Sequence, residues 1–438
     1  MTSTTTRPSG REGGSAVTTT PQHRIGRTRL TVQDADGRPL ADADVQVEQR
    51  GHAFGFGNIG FDFLPLVGGP APEGADEVEA FGTAEGVPLE VLAEAYLGLF
   101  GQTTLPFYWG RYEPRRGAPD EDRLRRTAQW FTDRGVAVKG HPLMWHTVTP
   151  AWQADLPLDE VERLQRERSR ALPRDFAGLI DVWDAINEAV IMPVFDNGAN
   201  RITDLAKEKG RLETVRLAFE EARAGNPSAT LLINDFDLSP AYERLIEQVL
   251  EAGIAVDAIG LQTHMHQGYR GEEAVTAILD RFARFGLPLH MTETTLLSGH
   301  LMPAHIEDLN DYRIPAWPTT EEGEARQADE LERHYRNLVG HPAVQVINYW
   351  GLTDAGSWLG APCGVLRADG SKKPGYHRLQ SLIRGEWWLP RTTRRTDADG
   401  VLEVEGFGGA YAVEAAGGSA AFTVEAGGDG VQEVRPGA

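Results

Sequence analysis

Eight short apolar runs between residues 52 and 352 alternate with stretches of helical period, and this alternation constrains the fold more than any other feature. Parallel strands cannot be joined by tight turns. Each needs a crossover, usually a helix, so strand–helix alternation reads as a parallel sheet. The runs are "HAFGFGNIG" (52–60), "TTLPFY" (103–108), "VKGHPLMW" (138–145), "DVWDAINE" (181–188), "ATLLINDF" (229–236), "AIGLQTHMH" (258–266), "LPLHMTET" (287–294) and "VQVINYWGL" (344–352). Helix punctuation lies between them. In "SPAYERLIEQVLEAG", Ser239 can cap the first free amides, Pro240 fits the first turn, and Gly253 closes the helix. Leu212, Val215, Phe219 and Ala222 share one face of "RLETVRLAFEEARAGNP", and Val275, Ile278, Leu279 and Phe282 do so in "EEAVTAILDRFARFG". Eight such units over about 330 residues suit a (β/α)8 TIM barrel. A doubly wound open sheet is the alternative, but no glycine-rich phosphate turn follows an early strand.

Outside this region the period falls to two. "RTRLTVQDADGRPLADADVQVEQRGHAFGFG" alternates around Asp36-Gly37, and "RTDADGVLEVEGFGGAYAVEAAGGSAAFTVEAGG" does so around Asp399-Gly400. Each predicts a β-hairpin, and the shared DADG string joins the two ends into one small β module. A structural cap is the simpler reading of this module, and an ancillary sugar-binding module the other. The expected organisation is a disordered leader (1–24), an N-terminal β segment (25–51), the barrel (52–385) and a C-terminal β segment (386–438).

The formal charge of −21 would repel nucleic acid and anionic membrane, so neither is an expected partner, whereas a neutral substrate suits this surface. Cys363 stands alone, which rules out an intramolecular disulfide or a thiolate cluster within one chain. No run approaches the ~18 apolar residues of a membrane helix. The Ser/Thr/Gly-rich opening lacks the apolar core of a secretory signal, so the chain as written is expected to be cytoplasmic, or secreted should a leader precede it. Oligomeric state is not legible.

A TIM barrel demands that chemistry sit at the C-terminal ends of its strands. Run four ends in Asn187-Glu188, run three in Trp145-His146 and run five in Asn234-Asp235. Run six ends in Gln262, His264 and His266, run seven in Glu293, and run eight in Trp350 with Asp354 beyond it. Unpaired polar groups are costly to bury, so six polar or aromatic ends on one side imply delivery to a site. Two carboxylates across a barrel mouth fit glycoside hydrolysis: one stays protonated and donates to the leaving oxygen, the other stays ionised and attacks the anomeric carbon. A separation of about 5 Å means retention of configuration, and about 6.5–9.5 Å inversion. Trp145, Trp152, Trp350 and Trp358 offer flat faces for sugar rings, with core packing as the alternative for each. His146, His264 and His266 with Asp235 or Glu293 could instead hold a metal, although that leaves Asn187-Glu188 unexplained. A non-catalytic carbohydrate-binding barrel is a third class, but binding alone needs no such carboxylate pair.

From about Leu89 to Leu382 the motifs resemble, in order, those of glycoside hydrolase family 10, the endo-β-1,4-xylanase family. "GHPLMWHTVTPAW" resembles its Gly-His-x-Leu-x-Trp-His stretch and "WDAINEAV" its Trp-Asp-Val-x-Asn-Glu signature, followed by "INDFDL", "IGLQTHMH", "MTETTL", "YWGLTDAGSWL" and "KKPGYHRL". The resemblance implies a retaining enzyme that needs no cofactor or metal and takes a carbohydrate or glycoside substrate, by default xylan or xylo-oligosaccharides. It makes Glu188 the acid/base and Glu293 the nucleophile. Asn187 would bond the 2-hydroxyl of the cleavage-site sugar, and His146 and Gln262 would hold the same sugar. His264 would orient the nucleophile, Trp350 and Trp358 would wall the pocket, and Trp145 and Tyr108 complete the binding set.

Two departures stand out. Where the family carries Glu-Asn-x-x-Lys-Trp after strand two, this chain has "TTLPFYWGRYEP", so Phe107, Tyr108 and Trp109 offer apolar surface in place of hydrogen bonds. The family's Asp two positions after the nucleophile is here Thr295. The first bears on substrate, the second on the nucleophile's tuning. Long connections at 189–210 and 297–322 are expected to overhang the site, the second carrying Tyr312 and Trp317. These features support an alternative substrate, a small plant glycoside with an apolar aglycone, as taken by relatives similar to tomatinases.

Overall fold

The computed structural model describes residues 20–75, 84, 86–195 and 200–437, so most of the expected leader lies outside the described residues. Two strands come first, β1 (Ile25–Val32) and β2 (Asp44–His52). Eight parallel strands then close a barrel: β3 (Gly55–Ile59), β4 (Gln102–Pro106), β5 (Ala137–His141), β6 (Val182–Asn187), β7 (Thr230–Asp235), β8 (Ala258–Met265), β9 (Leu289–Leu296) and β10 (Val344–Tyr349), with β10 paired to β3. Every apolar run of the sequence supplies one of them. Helices cover the outer face of the barrel and the strands' own inward side chains fill its interior, so both faces are buried and the runs are continuously apolar and not alternating. The helix Pro240–Glu251 begins as its sequence demands, with the Ser239 hydroxyl accepting from the Ala241 amide.

Close approach requires glycine at position 140. The indole of fully buried Trp183 lies against Gly140, where any Cβ would collide with the ring. This contact seats β5 against β6 and so fixes the height of the two side chains that follow, His141 and Asp184.

The flanking strands differ from the expected hairpins. β1 pairs with β12 (Val401–Phe407) and β15 (Asp429–Val434), whereas β2 pairs with β11 (Thr392–Arg395) and β13 (Gly409–Ala415), which pairs in turn with β14 (Gly418–Val424). Each DADG turn therefore crosses from one sheet to the other. Both do so alike: Asp34 accepts from the amides of Asp36 and Arg38, and Asp397 from those of Asp399 and Val401. Alternation reports that one face of a strand is buried and says nothing of which strand pairs with it. The two sheets bury Leu30, Val47, Val404, Val413 and Phe422 between them.

Arg24, at the start of β1, ties this module to the barrel. It is buried and donates to the carbonyls of Val339 (3.1 Å), His341 (2.9 Å) and Val344 (2.5 Å), with its guanidinium over Phe54. Arg24→Ala leaves these carbonyls short of a donor and opens a cavity. The expected loss is about 2–4 kcal/mol of stability, read as a lower midpoint in urea with activity per folded molecule retained.

Candidate active site

Strand irregularities aim the site residues. Strict alternation would send Asp184 and Asn187 to opposite faces, but the register of β6 against β7 shifts between Asp184 and Ile186, and both reach the barrel interior. A second shift, where β9 carries Thr292 as an extra residue against the step from Leu261 to Gln262 of β8, sets Gln262 directly opposite Glu293 and His264 opposite Thr295. Such bulges re-aim side chains next to active sites. Glu188, directly after β6, has a left-handed backbone (φ 58°), a conformation that costs a non-glycine residue on the order of 1 kcal/mol. It is held by its own amide donating to Asn234 O (2.8 Å), by Met192 N donating to Glu188 O (3.1 Å) and by Val190 N donating to the Asp235 carboxylate (3.0 Å).

The two carboxylates are joined by a chain of amides. Thr292 Oγ1 donates to Asn234 Oδ1 (2.5 Å), which leaves Asn234 Nδ2 to donate to Asn187 Oδ1 (2.7 Å) and Glu293 Oε1 (3.1 Å). Gln262 Nε2 also donates to Asn187 Oδ1 (3.0 Å), so the Asn187 amide is oriented with its Nδ2 towards Glu188 Oε1 (3.1 Å). Trp145 Nε1 donates to Glu188 Oε2 at 2.7 Å.

The environments of the two acids differ in sign. Burial, aided by the nearby charges of Glu293 and Asp235, pushes the Glu188 carboxyl up to about 8 against the opposing Trp145 hydrogen bond. Burial would raise Glu293 too, but His141, the hydrogen bond from His264 and the charge of Lys139 outweigh it and hold Glu293 below the usual carboxylate range. One acid protonated and one ionised at neutral pH is the division of labour that glycoside cleavage needs.

The His264 Nε2–Glu293 Oε2 distance is 3.1 Å, and on its other side His264 Nδ1 meets Thr295 Oγ1 at 3.3 Å. Trp350 and Trp358 flank it at 6.3 and 5.0 Å between ring centroids. Tyr108 lies 5.2 Å from the Trp145 ring, and with Phe61 and Trp350 these form one aromatic cluster beside the carboxylates. Of the three aromatics expected there, only Tyr108 faces the site. Phe107 and Trp109 turn into the main core: Phe107 precedes Tyr108 on the extended chain and points to the opposite side, and Trp109 opens the short helix Trp109–Tyr112.

His146 is placed differently from the expectation. It is wholly buried against Phe195, 3.9 Å from Glu188 Oε2, and burial pushes its imidazole down to about 3. A second histidine beside Glu293 is His141, at 3.8 Å from Glu293 Oε1 and ring to ring with Trp350 and Tyr108. Asn234 was expected at the site as a polar strand end, whereas His141, Asp184 and Lys139 were not singled out from sequence as site residues. The available signal was three polar residues, Lys139, His141 and Asp184, within otherwise apolar strands. The histidines and acids weighed as metal ligands do not converge: Asp235 is engaged with the Val190 and Asp237 amides, and no group of three potential ligands is gathered among the described residues.

The connection at 189–210 contains a helix, Arg201–Lys209, capped by Asn200, and its residues 196–199 lie outside the described residues. That at 297–322 packs Met302, Tyr312 and Trp317 onto the segment around Trp358, through Leu359, Ala361 and Cys363.

The sequence pattern of "Glycosyl hydrolase family 10" matches residues 107–381. An endo-1,4-beta-xylanase B of Thermotoga neapolitana is 26% identical over 261 residues, covering 57% of this chain and 69% of that protein. An endo-1,4-beta-xylanase of Geobacillus stearothermophilus is 26% identical over 266 residues, covering 55% and 74%. Among solved structures, xylanase 10B from Thermotoga petrophila in complex with xylobiose superposes with a TM-score of 0.59 at 21% identity, over 76% of this chain and 95% of that one. A barrel of this topology, carrying an acid pair tuned apart at its mouth and matched by the family pattern over most of its length, makes this chain a member of glycosyl hydrolase family 10.

Proposed function

We propose that Glu188 is the acid/base and Glu293 the nucleophile in double-displacement hydrolysis of β-1,4-xylosidic bonds, in xylan or xylo-oligosaccharides. The opposite tuning of the two carboxyls carries this reading. Glu188 protonates the leaving oxygen while Glu293 attacks the anomeric carbon to form a glycosyl-enzyme. Covalent attachment cancels the charge of Glu293. One of the causes that raises Glu188 is thereby removed, its proton affinity falls, and it becomes the base that activates water in the second step. Asn187, oriented by Asn234 and Gln262, presents its amide to the 2-hydroxyl of the sugar. Trp350, Trp358, Trp145 and Tyr108 supply its apolar walls, and His264 steadies the nucleophile. The xylan assignment is supported by the relatives' activities, and the apolar Tyr108 surface favours a small glycoside as the second reading.

The test is hydrolysis of aryl β-xyloside, β-xylobioside, β-glucoside and soluble xylan, with the first anomer formed identified by proton NMR. Turnover of xylobioside and xylan with the β anomer appearing first supports the proposal, and an initial α product would refute retention. Turnover of aryl glycosides with xylan untouched would transfer the assignment to small glycosides.

The pH profile follows from the same tuning. The activity kcat/KM should rise as Glu293 ionises, below the usual carboxylate range, and fall through about pH 8 as Glu188 loses its proton. An alkaline limb near pH 5 would contradict the acid role.

A further inference from the structure

The loop that carries Trp350 and Trp358, residues 350–364, hangs on one buried cation that the reaction scheme does not use. Lys373, directly before the helix Pro374–Ser381, is 0% exposed, and its ammonium spends all its protons on fixed acceptors. Nζ donates to Asp354 Oδ1 (2.6 Å), Gly364 O (2.9 Å) and Ser298 Oγ (2.7 Å). The first two acceptors lie within the loop, and the third lies just past β9, the strand of Glu293. A buried ammonium is costly unless it is paired and hydrogen-bonded, and these contacts meet both needs. We propose that Lys373 is a positioning residue for the sugar wall, fastening the far end of this loop, and Trp358 with it, to the strand of the nucleophile. It rests on the reading of Trp350 and Trp358 as walls of the sugar pocket.

The two tryptophans are held differently. Trp350 is pinned without Lys373: its amide donates to Thr294 O (2.7 Å), next to Glu293, and its ring packs edge-on to Phe61 at 5.5 Å. Trp358 is half-buried against the rings of His264 (5.0 Å) and His266 (5.4 Å). The residue after it, Leu359, has a left-handed backbone (φ 62°), which persists only where the surroundings impose it. Those surroundings converge on Lys373. Asp354 Oδ1 also accepts from the Gly364 amide (3.0 Å), which closes the loop on itself. Ser298 grips Pro362 O with both its amide and its hydroxyl, each at 2.8 Å. Ser357, next to Trp358, donates to Thr353 O (2.9 Å) and accepts from the Cys363 thiol (3.2 Å). Without Lys373, Asp354 keeps a poorly solvated charge, and Ser298 loses its direct tie to the loop's inner turn. Lys372 offers a contrast at the surface, where it pairs with exposed Glu94 at 2.8 Å.

The test is a double-mutant cycle on KM for an aryl β-xyloside. Lys373→Met should raise KM by about tenfold and lower kcat by less than about threefold, since the carboxylates stay in place while the wall loosens. Trp358→Ala should raise KM similarly. The double variant should be no worse than the worse single one, because a wall already displaced has little left to lose. Lys372→Met should leave both constants unchanged. A folded Lys373→Met with KM unmoved overturns the proposal, as do additive effects of Lys373→Met and Trp358→Ala. Should Lys373→Met not fold, Ser298→Ala removes one acceptor and keeps the ion pair. A rise in KM of about threefold is then expected, and an unmoved KM overturns the proposal. The indole N–H resonances of Trp358 and Trp350 in the full chain, assigned by Trp358→Phe and Trp350→Phe, read the displacement without a substrate. Lys373→Met or Ser298→Ala should shift the first and spare the second, and an unmoved Trp358 resonance overturns the proposal. If Trp358→Ala leaves KM unchanged, the wall reading fails by itself, whereas the resonance still decides whether Lys373 positions Trp358.

Discussion

Glu293→Gln should lower kcat on aryl β-xylosides by on the order of 10⁵-fold while the protein stays folded. That is about 7 kcal/mol of lost transition-state stabilisation, the size expected when the group that forms the covalent bond is gone. An amide cannot attack the anomeric carbon, nor offset the positive charge developing on the sugar. The substitution is isosteric, and the amide oxygen can still accept from Asn234 Nδ2, which now donates to Glu293 Oε1 at 3.1 Å. Removal of a buried charge also spares the desolvation that strains active sites, so thermal stability should stay within a few degrees of wild type. Single-turnover kinetics and a thermal melt together check this. A folded variant that kept more than about 1% of wild-type turnover would take Glu293 out of the nucleophile role.

The second large effect depends on the leaving group. Glu188→Ala removes the proton donor, and only a poor leaving group needs one. On xylobioside the expected loss in kcat/KM is about 10³-fold, within the ordinary range for general acid catalysis, whereas a dinitrophenyl glycoside should lose less than about tenfold. For the activated substrate kcat should fall further than kcat/KM, because the second step has lost its base. The glycosyl-enzyme then accumulates and KM drops. A plot of log kcat/KM against leaving-group pKa should therefore be steeper in the variant than in wild type. Equal slopes would remove Glu188 from the acid role and point to its neighbour Asp235, which burial also raises, to about 7.

Much of this site was legible in the chain because strand ends carry a strong contrast. A carboxylate closing a run such as "DVWDAINE" breaks an apolar pattern, and in a barrel all such ends share one side. Glu188, Glu293, Asn187, Gln262 and His264 are accordingly brought together. The choice between His141 and His146 was not legible. His141 lies inside run three and His146 directly after it, five residues apart, and only the seating of β5 on β6 through Gly140 and Trp183 turns His141 to Glu293 and His146 into the protein.

The DADG segments show a related limit. Period-two alternation correctly marked strands with one buried face, yet partners lie up to hundreds of residues away, as when Ile25 pairs with Phe407. Sheet assignment is a long-range choice that local pattern does not encode.

What the sequence by itself determined was the barrel and the chemistry at its mouth. Hydrophobic period selects the element, crossover helices force a parallel sheet, and polar residues at run ends have one place to go. Only the tertiary structure decided how the two acids differ. Glu188 and Glu293 are chemically the same residue; one is raised by burial beside other acids, the other lowered by His141, His264 and Lys139. Those partners come from strands remote in sequence and are re-aimed by bulges, and electrostatic energy depends on distances that only the folded chain creates.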